Sequence, residues 1–324
     1  MESSSGLVEY AGWQQHALAN RLQSLLLLVL MGGFAALVGW LLWGPDGLVS
    51  VLVSVSLLLL LNPALSPRLL MRMYGAQRLT RAQAPGLVAV VEELSRRAGL
   101  PRAPELYYIP SNLINAFSAG RQGEAVIAVS DGLLKVLDER ELAAVLAHEV
   151  SHIRSNDTWV MGVADLFSRL TSVLSLFGQL LLLINLPLLL LSNVHINWLA
   201  ILLLVAAPTL SALAQLGLSR TREYDADLNA VRLTGDPDAL ASALVKIDRY
   251  SGAFMEQILF PGRGLPEPSW LRTHPRTEER VARILSLKPD AEPLLPKAVH
   301  GRGAGPFPAI TGRSPRWHLN GLWY

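Results

Sequence analysis

Residues 139–154 have the sequence ERELAAVLAHEVSHIR, and this stretch decides the class of fold that the chain can adopt. Its apolar residues recur at the spacing of one helix face, which predicts a single long helix. The helix contains an H-E-x-x-H motif that runs from His148 to His152. On a helix this spacing places both imidazoles on one face, one turn apart, where they can share a tetrahedral metal ion.

Glu149 places a carboxylate between the two histidines of the motif. Beside a metal ion, this carboxylate can take the proton from an attacking water and later give it to a leaving amine. Zinc lowers the pKa of a water that it binds from about 15.7 to about 7, so hydroxide becomes available at neutral pH. The alternative is a pair of polar imidazoles on a helix face with a solvated Glu149. The apolar helix, in a chain with only seven histidines, favours the metal site.

A catalytic zinc site needs three protein ligands and one open position, and Glu223 is the candidate for the third ligand. It lies in the sequence SRTREYDAD, residues 219–227. Asp227, one helical turn further on, could accept a hydrogen bond from a ligating imidazole and so fix its tautomer. The alternative is an ordinary charged helix face on which these carboxylates pair with Arg220 and Arg222.

The chain is too apolar for an ordinary soluble domain, with 51% hydrophobic residues, 17% charged residues and a mean hydropathy of +0.34. Two uncharged runs, residues 22–44 and 48–61, predict a first pair of membrane helices joined by a tight turn. A second apolar block, residues 170–217, is long enough for a second pair. The alternative for this block is buried helices of a large soluble core. Because a pair of spans returns the chain to the side that it left, His152 and Glu223 can then meet.

Lysine and arginine are absent from both predicted helix connections, residues 45–47 and 191–198, and are frequent in residues 68–154 and from residue 220 onward. By the positive-inside rule the polar segments therefore face the cytoplasm. The net charge of +2 is small and its basic residues are scattered, so a nucleic-acid partner is not expected. The chain has no cysteine, so a metal ion must be held by nitrogen and oxygen ligands.

These patterns divide the chain into six segments. They are a polar lead (1–21), a first transmembrane hairpin (22–66), the first part of a soluble domain (67–157), a second transmembrane hairpin (158–218), the second part of that domain (219–288) and a Pro- and Gly-containing tail (289–324). Within the domain we predict strands at 106–109 and 125–129 and helices at 84–98, 139–154, 220–233, 237–250 and 275–287. The predicted fold class is therefore mainly α with a small β-sheet and multi-pass membrane helices.

Four motifs, in one order along the chain, resemble those of the HtpX-type membrane metalloproteases, which are relatives of the CAAX prenyl endopeptidases. The motifs are NAFSAG (115–120), HEVSH (148–152), SRTREYDAD (219–227) and THPRTEERV (273–281). The resemblance covers roughly residues 20–285 and includes both hairpins. It implies a gluzincin-like zinc metalloprotease domain carried by the membrane helices.

The resemblance also implies roles for individual residues. The zinc ligands, with one ion per subunit, are then His148, His152 and Glu223. Glu149 is then the general base, and Asn115 and Ala116 belong to an edge strand that receives an extended peptide by β-augmentation. The sequence departs from the family here, because it has Ser118 and Ala119 where the family commonly has Ala-Thr. This departure leaves the backbone role intact and the side-chain specificity open.

The last of the four motifs suggests two further catalytic residues. His274 and Arg280 would stand near the cleft, where an imidazole or a guanidinium could stabilise a tetrahedral oxyanion. The alternative for His274 is a helix-start residue, since Pro275 follows it. The alternative for Arg280 is an ion pair with a neighbouring glutamate or with a distant carboxylate.

The predicted function is that of a membrane-anchored zinc-dependent endopeptidase that cuts unfolded or membrane-associated polypeptides in membrane protein quality control. The resemblance and the charge distribution together predict a multi-pass protein of a bacterial-type inner (plasma) membrane, with its active site facing the cytoplasm. The alternatives are a non-catalytic zinc-binding membrane adaptor, a prenyl-protein-type processing protease and, on the helices alone, a channel or transporter. The apolar runs carry few ionisable groups, which argues against a channel or transporter.

Overall fold

The computed structural model describes residues 3–61, 67–191, 198–258, 277–287 and 294–295. His274 and nearly all of the tail lie outside these residues. The helices are α1 (Ser3–Leu61), α2 (Pro67–Met73), α3 (Pro85–Ala98), α4 (Asp131–Val136), α5 (Glu139–Arg154), α6 (Asp157–Leu191), α7 (Trp198–Thr234), α8 (Pro237–Ile258) and α9 (Thr277–Leu285). The strands are β1 (Gln77–Arg78), β2 (Glu105–Ile109), β3 (Ala116–Ala119) and β4 (Val126–Ser130). The predicted fold class, mainly α with a small sheet, is confirmed.

Two compact units make up the chain. The helical unit comprises residues 7–63 and 159–221, and the sheet unit comprises residues 1–6, 64–158 and 222–324. The division of the chain into six segments, which is finer than these units, stays a prediction.

The first helical segment of the helical unit, α1, reverses direction near its middle. Trp43 and Gly44 leave the helical conformation, and Gly44 has a φ of 61°, which glycine adopts without steric cost. A Cβ added to Gly47 would lie only 1.9 Å from the carbonyl oxygen of Gly39. Residues eight apart in a straight helix are about 12 Å apart along its axis. The two arms of α1 therefore lie against each other as a helical hairpin closed by a tight turn.

Small and aliphatic side chains hold the helices of this unit together. One buried cluster joins α1, α6 and α7 through Met31, Ala164, Ala214 and Leu218, and a second contains Val38, Leu204 and Ala207. Among the described residues, three helices are long and apolar enough to cross a membrane, namely Leu18–Leu57, Asp157–Pro187 and Trp198–Thr234. Their outer faces are apolar as well, with Leu26 68% and Ile184 73% exposed, as expected of helices that contact lipid.

The sheet unit contains four strands in the order β1-β2-β4-β3. The central pair β2 and β4 is parallel, whereas β1 and β3 pair antiparallel with their neighbours. The predicted strands at 106–109 and 125–129 are confirmed to within one residue, and the two-residue strand β1 was missed because its exposed Gln77 and Arg78 carry no alternating pattern. β3 lies at the edge of the sheet and packs against α5.

The helix that carries the H-E-x-x-H motif spans residues 139–154 as predicted. It begins with a capping box, because the Asp138 side chain accepts a hydrogen bond from the Glu141 backbone while the Glu141 side chain accepts one from the Asp138 backbone. The separate helix predicted at 220–233 is wrong in its start, since the helix is continuous from Trp198 to Thr234. Apolar periodicity changes at residue 218, but the backbone hydrogen bonds do not stop there.

Candidate metal centre and active site

Three predicted ligands from two helices meet at one point of the sheet unit. The Nε2 atoms of His148 and His152, both on α5, are 3.0 Å apart. Glu223, on α7, brings Oε2 to 3.5 Å from Nε2 of His148 and Oε1 to 3.6 Å from Nε2 of His152. His148 and Glu223 are buried and His152 is half-buried. The three donor atoms therefore converge in a site that is largely closed to water.

The spacing of these donor atoms fits a small divalent cation. Zinc binds nitrogen and oxygen at about 2.0–2.2 Å, which in a tetrahedral site separates neighbouring ligands by about 3.3–3.6 Å. The separations of 3.0, 3.5 and 3.6 Å are close to this range. Two imidazoles and one carboxylate are also the donor types of catalytic zinc sites that keep a fourth position open. In the part of the chain that the structure describes, these three residues form a group that could hold a metal ion.

A buried carboxylate orients the first imidazole. Asp227 lies one turn beyond Glu223 on α7, and its Oδ1 is 3.1 Å from Nδ1 of His148. Arg280 holds this carboxylate through two hydrogen bonds of 2.7 Å, from Nε to Oδ2 and from Nη2 to Oδ1. Its third nitrogen, Nη1, is 3.3 Å from Oε2 of Glu223. A carboxylate on Nδ1 favours the tautomer in which Nε2 presents its lone pair to a metal ion.

These carboxylates also control the charge of His148. Burial alone lowers the pKa of this imidazole, but hydrogen bonds to Asp227 and Glu223 outweigh burial and raise the pKa to about 10. At neutral pH the metal-free site therefore holds His148 in its charged form, with a proton on each ring nitrogen. A metal ion must displace the Nε2 proton to use Nε2 as a ligand, so metal binding and proton release are linked.

The second imidazole has a matching carboxylate that the sequence reasoning missed. Oδ2 of Asp157, the first residue of α6, is 2.7 Å from Nδ1 of His152. Arg222 donates from Nε to Oδ1 of Asp157 at 2.6 Å and also contacts this oxygen through Nη2. The available signal was the position of Asp157, five residues after the motif and at the start of a helix. From the sequence alone, the expected partners of Arg222 are the carboxylates on its own helix face.

Glu149 lies directly after His148 in α5 and is 6% exposed. Its role as the base stays a prediction. His274 lies outside the described residues, so its proposed place near the cleft stays a prediction too.

The structure places Arg280 among carboxylates. Arg280 is 5% exposed, and its nitrogens contact Asp227 and Glu223, the distant carboxylates that were one alternative for it. The neighbouring Glu278 and Glu279 are exposed. The contacts show Arg280 holding the groups around the metal site, and a direct part in oxyanion stabilisation stays a prediction.

The predicted substrate strand is the edge strand β3. Asn115 precedes it and directs both backbone groups inward, since its N–H donates to Oγ of Ser130 at 2.9 Å and its C=O accepts from the N–H of Ser130 at 3.0 Å. In an antiparallel pair such positions alternate with positions whose backbone groups point away from the partner strand. Ala116 and Ser118 are those outward positions. Ala116 therefore directs its backbone groups away from β4, whereas Asn115 does not.

Comparison with known proteins identifies the family. The model of peptidase family M48 matches residues 81–288. A protease HtpX homolog of Desulfatibacillum aliphaticivorans is 32% identical over 303 residues, which cover 85% of this chain and 92% of that protein. A homolog of Paraburkholderia phytofirmans is 34% identical over 83% of this chain and 97% of its own length, and one of Acidiphilium cryptum is 40% identical over 68% and 79%.

One solved structure, a crystal structure of S. mikatae Ste24p, is similar with a TM-score of 0.44 and 21% identity, over 83% of this chain and 66% of that one.

The family match spans the segments that carry both histidines, Glu223 and Asp227. The chain has helices that are long and apolar enough to cross a membrane. The chain therefore belongs to peptidase family M48, among the HtpX-type membrane proteases.

Proposed function

We propose that this protein is a zinc-dependent endopeptidase that cuts unfolded or membrane-associated polypeptides at the cytoplasmic face of a bacterial-type inner membrane. The observation that carries the proposal is the convergence of His148, His152 and Glu223 within 3.0–3.6 Å of one another. Three ligands leave one position of a tetrahedral site for substrate or water, which distinguishes a catalytic from a structural zinc site.

A bound zinc ion would polarise the scissile carbonyl and make a water nucleophilic near neutral pH. Glu149 accepts the proton of the attacking water and passes it to the leaving nitrogen. The peptide bond therefore breaks to give a neutral amine instead of an unstable amide anion. Asp227 keeps His148 in the tautomer whose Nε2 faces the metal position. Arg280 neutralises the buried negative charge of Asp227 and Glu223, so these carboxylates can stay ionised while buried.

The edge strand supplies a binding mode for the substrate. The outward backbone groups of Ala116 and Ser118 can pair with an extended peptide, which would add a fifth strand to the sheet. Because β3 packs against α5, a peptide paired with β3 would lie near the helix that carries His148. Pairing through backbone groups needs an extended chain and reads little of its sequence, which suits unfolded segments of many proteins.

Charge distribution supports the cytoplasmic orientation. Arginine and lysine are frequent in residues 68–154 and after residue 220, and they are absent from the connections at 45–47 and 191–198. The positive-inside rule then places the metal site on the cytoplasmic side of the bilayer. Such an enzyme has access to misassembled membrane proteins from the side on which they are made, which supports a role in membrane protein quality control.

Exchange of Glu149 for Gln tests the proposal directly. The E149Q protein should bind zinc with the stoichiometry of the wild type and lose casein degradation, because the amide cannot accept the proton. Glu139→Gln is the matched control, since Glu139 is an exposed glutamate in the first turn of the same helix and should leave cleavage unchanged. Unchanged proteolysis by E149Q would refute the proposed mechanism. A zinc-loaded wild type that degrades no unfolded protein would favour the adaptor, and selective cleavage of a prenylated peptide would favour the processing protease.

A further inference from the structure

We propose that Asp157 and Arg222 form a positioning pair that orients His152 for metal binding. The inference rests on the proposed function, because it assigns a role toward the metal ion of that site. Oδ2 of Asp157 is 2.7 Å from Nδ1 of His152, and Oδ1 accepts a hydrogen bond of 2.6 Å from Nε of Arg222. One carboxylate thus connects the imidazole to the guanidinium, with a different oxygen for each.

Burial makes this connection consequential. The exposed fractions of Asp157 and Arg222 are 5% and 7%, so water does not compete for their hydrogen bonds. A buried carboxylate needs a partner of opposite charge, and Arg222 is that partner. The carboxylate must in turn accept from Nδ1–H of His152. The imidazole then keeps its proton on Nδ1 and directs the lone pair of Nε2 toward the side on which Nε2 of His148 lies, 3.0 Å away. A metal ion held by both histidines would bind on this side of the two rings.

Both imidazoles of the motif therefore have the same kind of support. The His148 side has Asp227 and Arg280 in the order imidazole, carboxylate, guanidinium, and the His152 side repeats this order with Asp157 and Arg222. The four supporting side chains come from three helices: α6, α7 and α9. Two independent anchors fix both rings of a motif in which each ring could otherwise rotate about its own χ2.

The pair also fixes the rotation of α7 beside the third ligand. Arg222 immediately precedes Glu223, and successive residues of a helix differ by about 100° in direction. When Arg222 is bound to Asp157, Glu223 is directed toward the two imidazoles. Asp157 is the first residue of α6 and Arg222 lies in the last part of α7, so the pair joins these two helices beside the proposed ligands.

Metal affinity tests the inference without recourse to enzymatic activity. The full-length protein in detergent is titrated with Zn²⁺ against a chelator of known affinity, and its Co²⁺ form is examined by visible absorption, which reports ligand geometry. Asp157→Asn removes the charge and places an amide between an N–H donor and a guanidinium, so we expect a 10- to 100-fold loss of zinc affinity and an altered cobalt spectrum. Asp157→Asn combined with Arg222→Gln leaves no unpaired buried charge, folds without that penalty and should show the same loss.

Asp236→Asn is the matched control. Asp236 is also a buried aspartate paired with an arginine, Arg140, at 2.7 Å, and neither residue contacts a proposed ligand. This variant should lower the melting temperature and leave zinc affinity and the cobalt spectrum unchanged. If wild type binds zinc and the two Asp157 variants bind it equally well with the same spectrum, the positioning role is refuted while the proposed function stands. If wild type binds no zinc, the proposed function and this inference both fail.

Discussion

Removal of the Arg280 guanidinium should destabilise the protein strongly. Arg280 is 5% exposed and makes two hydrogen bonds of 2.7 Å to Asp227 and a contact of 3.3 Å to Glu223. Arg280→Ala leaves two buried carboxylates without this counter-charge. Removing one partner of a buried ion pair costs about 3–5 kcal/mol of unfolding free energy. For a domain of about 150–250 residues, each kcal/mol lowers the melting temperature by about 2–4 °C, so the expected decrease is about 6–20 °C.

Thermal unfolding followed by tryptophan fluorescence in detergent measures this decrease, with the chelator-treated and the zinc-loaded protein compared. The matched control is Arg283→Ala, one turn of helix away, where the guanidinium lies 4.6 Å from the ring centre of Tyr224. That cation–π contact contributes only about 0.5–1 kcal/mol. Arg280→Lys keeps the charge but loses the two-pronged geometry, so it should fall between Arg280→Ala and wild type. If Arg280→Ala melts within about 2 °C of the Arg283→Ala control, the buried network around Arg280 does not stabilise the fold.

Three further predictions concern proton binding, the substrate strand and the helical hairpin. In the metal-free protein the folded pKa of His148 is raised to about 10, so the stability that its protonated form contributes is complete below about pH 6.5 and is lost as the pH rises toward 10. The melting temperature of chelator-treated protein should therefore fall between pH 7 and 10. The zinc-loaded protein, in which Nε2 of His148 binds the metal instead of a proton, should not show this fall. Ser118→Pro removes one outward N–H of the edge strand and keeps the pairing of β3 with β4. The kcat/KM of peptide cleavage should therefore fall about 2- to 12-fold while the zinc content stays unchanged. An unaltered kcat/KM would exclude β3 as the binding strand. Gly47→Ala should destabilise the hairpin by about 1–3 kcal/mol in thermal unfolding, because the added Cβ would lie 1.9 Å from the Gly39 carbonyl oxygen. Gly33→Ala is the control and should be neutral, since the space around Gly33 is open. Equal melting temperatures of the two variants would contradict the close packing of the two arms of α1.

The local features of the active site could be predicted because they depend on fixed offsets within one helix. Any α-helix places residues four apart on one face, so His148 and His152 had to be neighbours once their segment was helical. The helix itself was predictable from its apolar spacing, and the structure adds the capping box of Asp138 and Glu141 at its start. The apolar runs similarly predicted helices long enough for a bilayer, because length and hydropathy alone set that property.

The edge strand shows where such local reasoning stops. The family resemblance implies a strand at this position, but the choice of which backbone groups face outward depends on the register with β4. That register is fixed by the bonds between Asn115 and Ser130, two residues from different segments. A shift by one residue would exchange the roles of Asn115 and Ala116, and the sequence carries no signal strong enough to exclude it.

The helix with its two histidines and the apolar helices follow from the sequence alone, since short-range periodicity and composition specify them, whereas Glu223 became a candidate through the need for a third ligand and the family motif at residues 219–227. Only the tertiary structure decided which carboxylate meets which arginine. Arg280 has Glu278 and Glu279 beside it in sequence, yet it binds Asp227, 53 residues away, and Arg222 binds Asp157, 65 residues away. The physical reason is burial: an ion pair between exposed neighbours contributes little in water, whereas a buried carboxylate requires a buried counter-charge, and folding alone brings distant chain segments to the same water-excluded point.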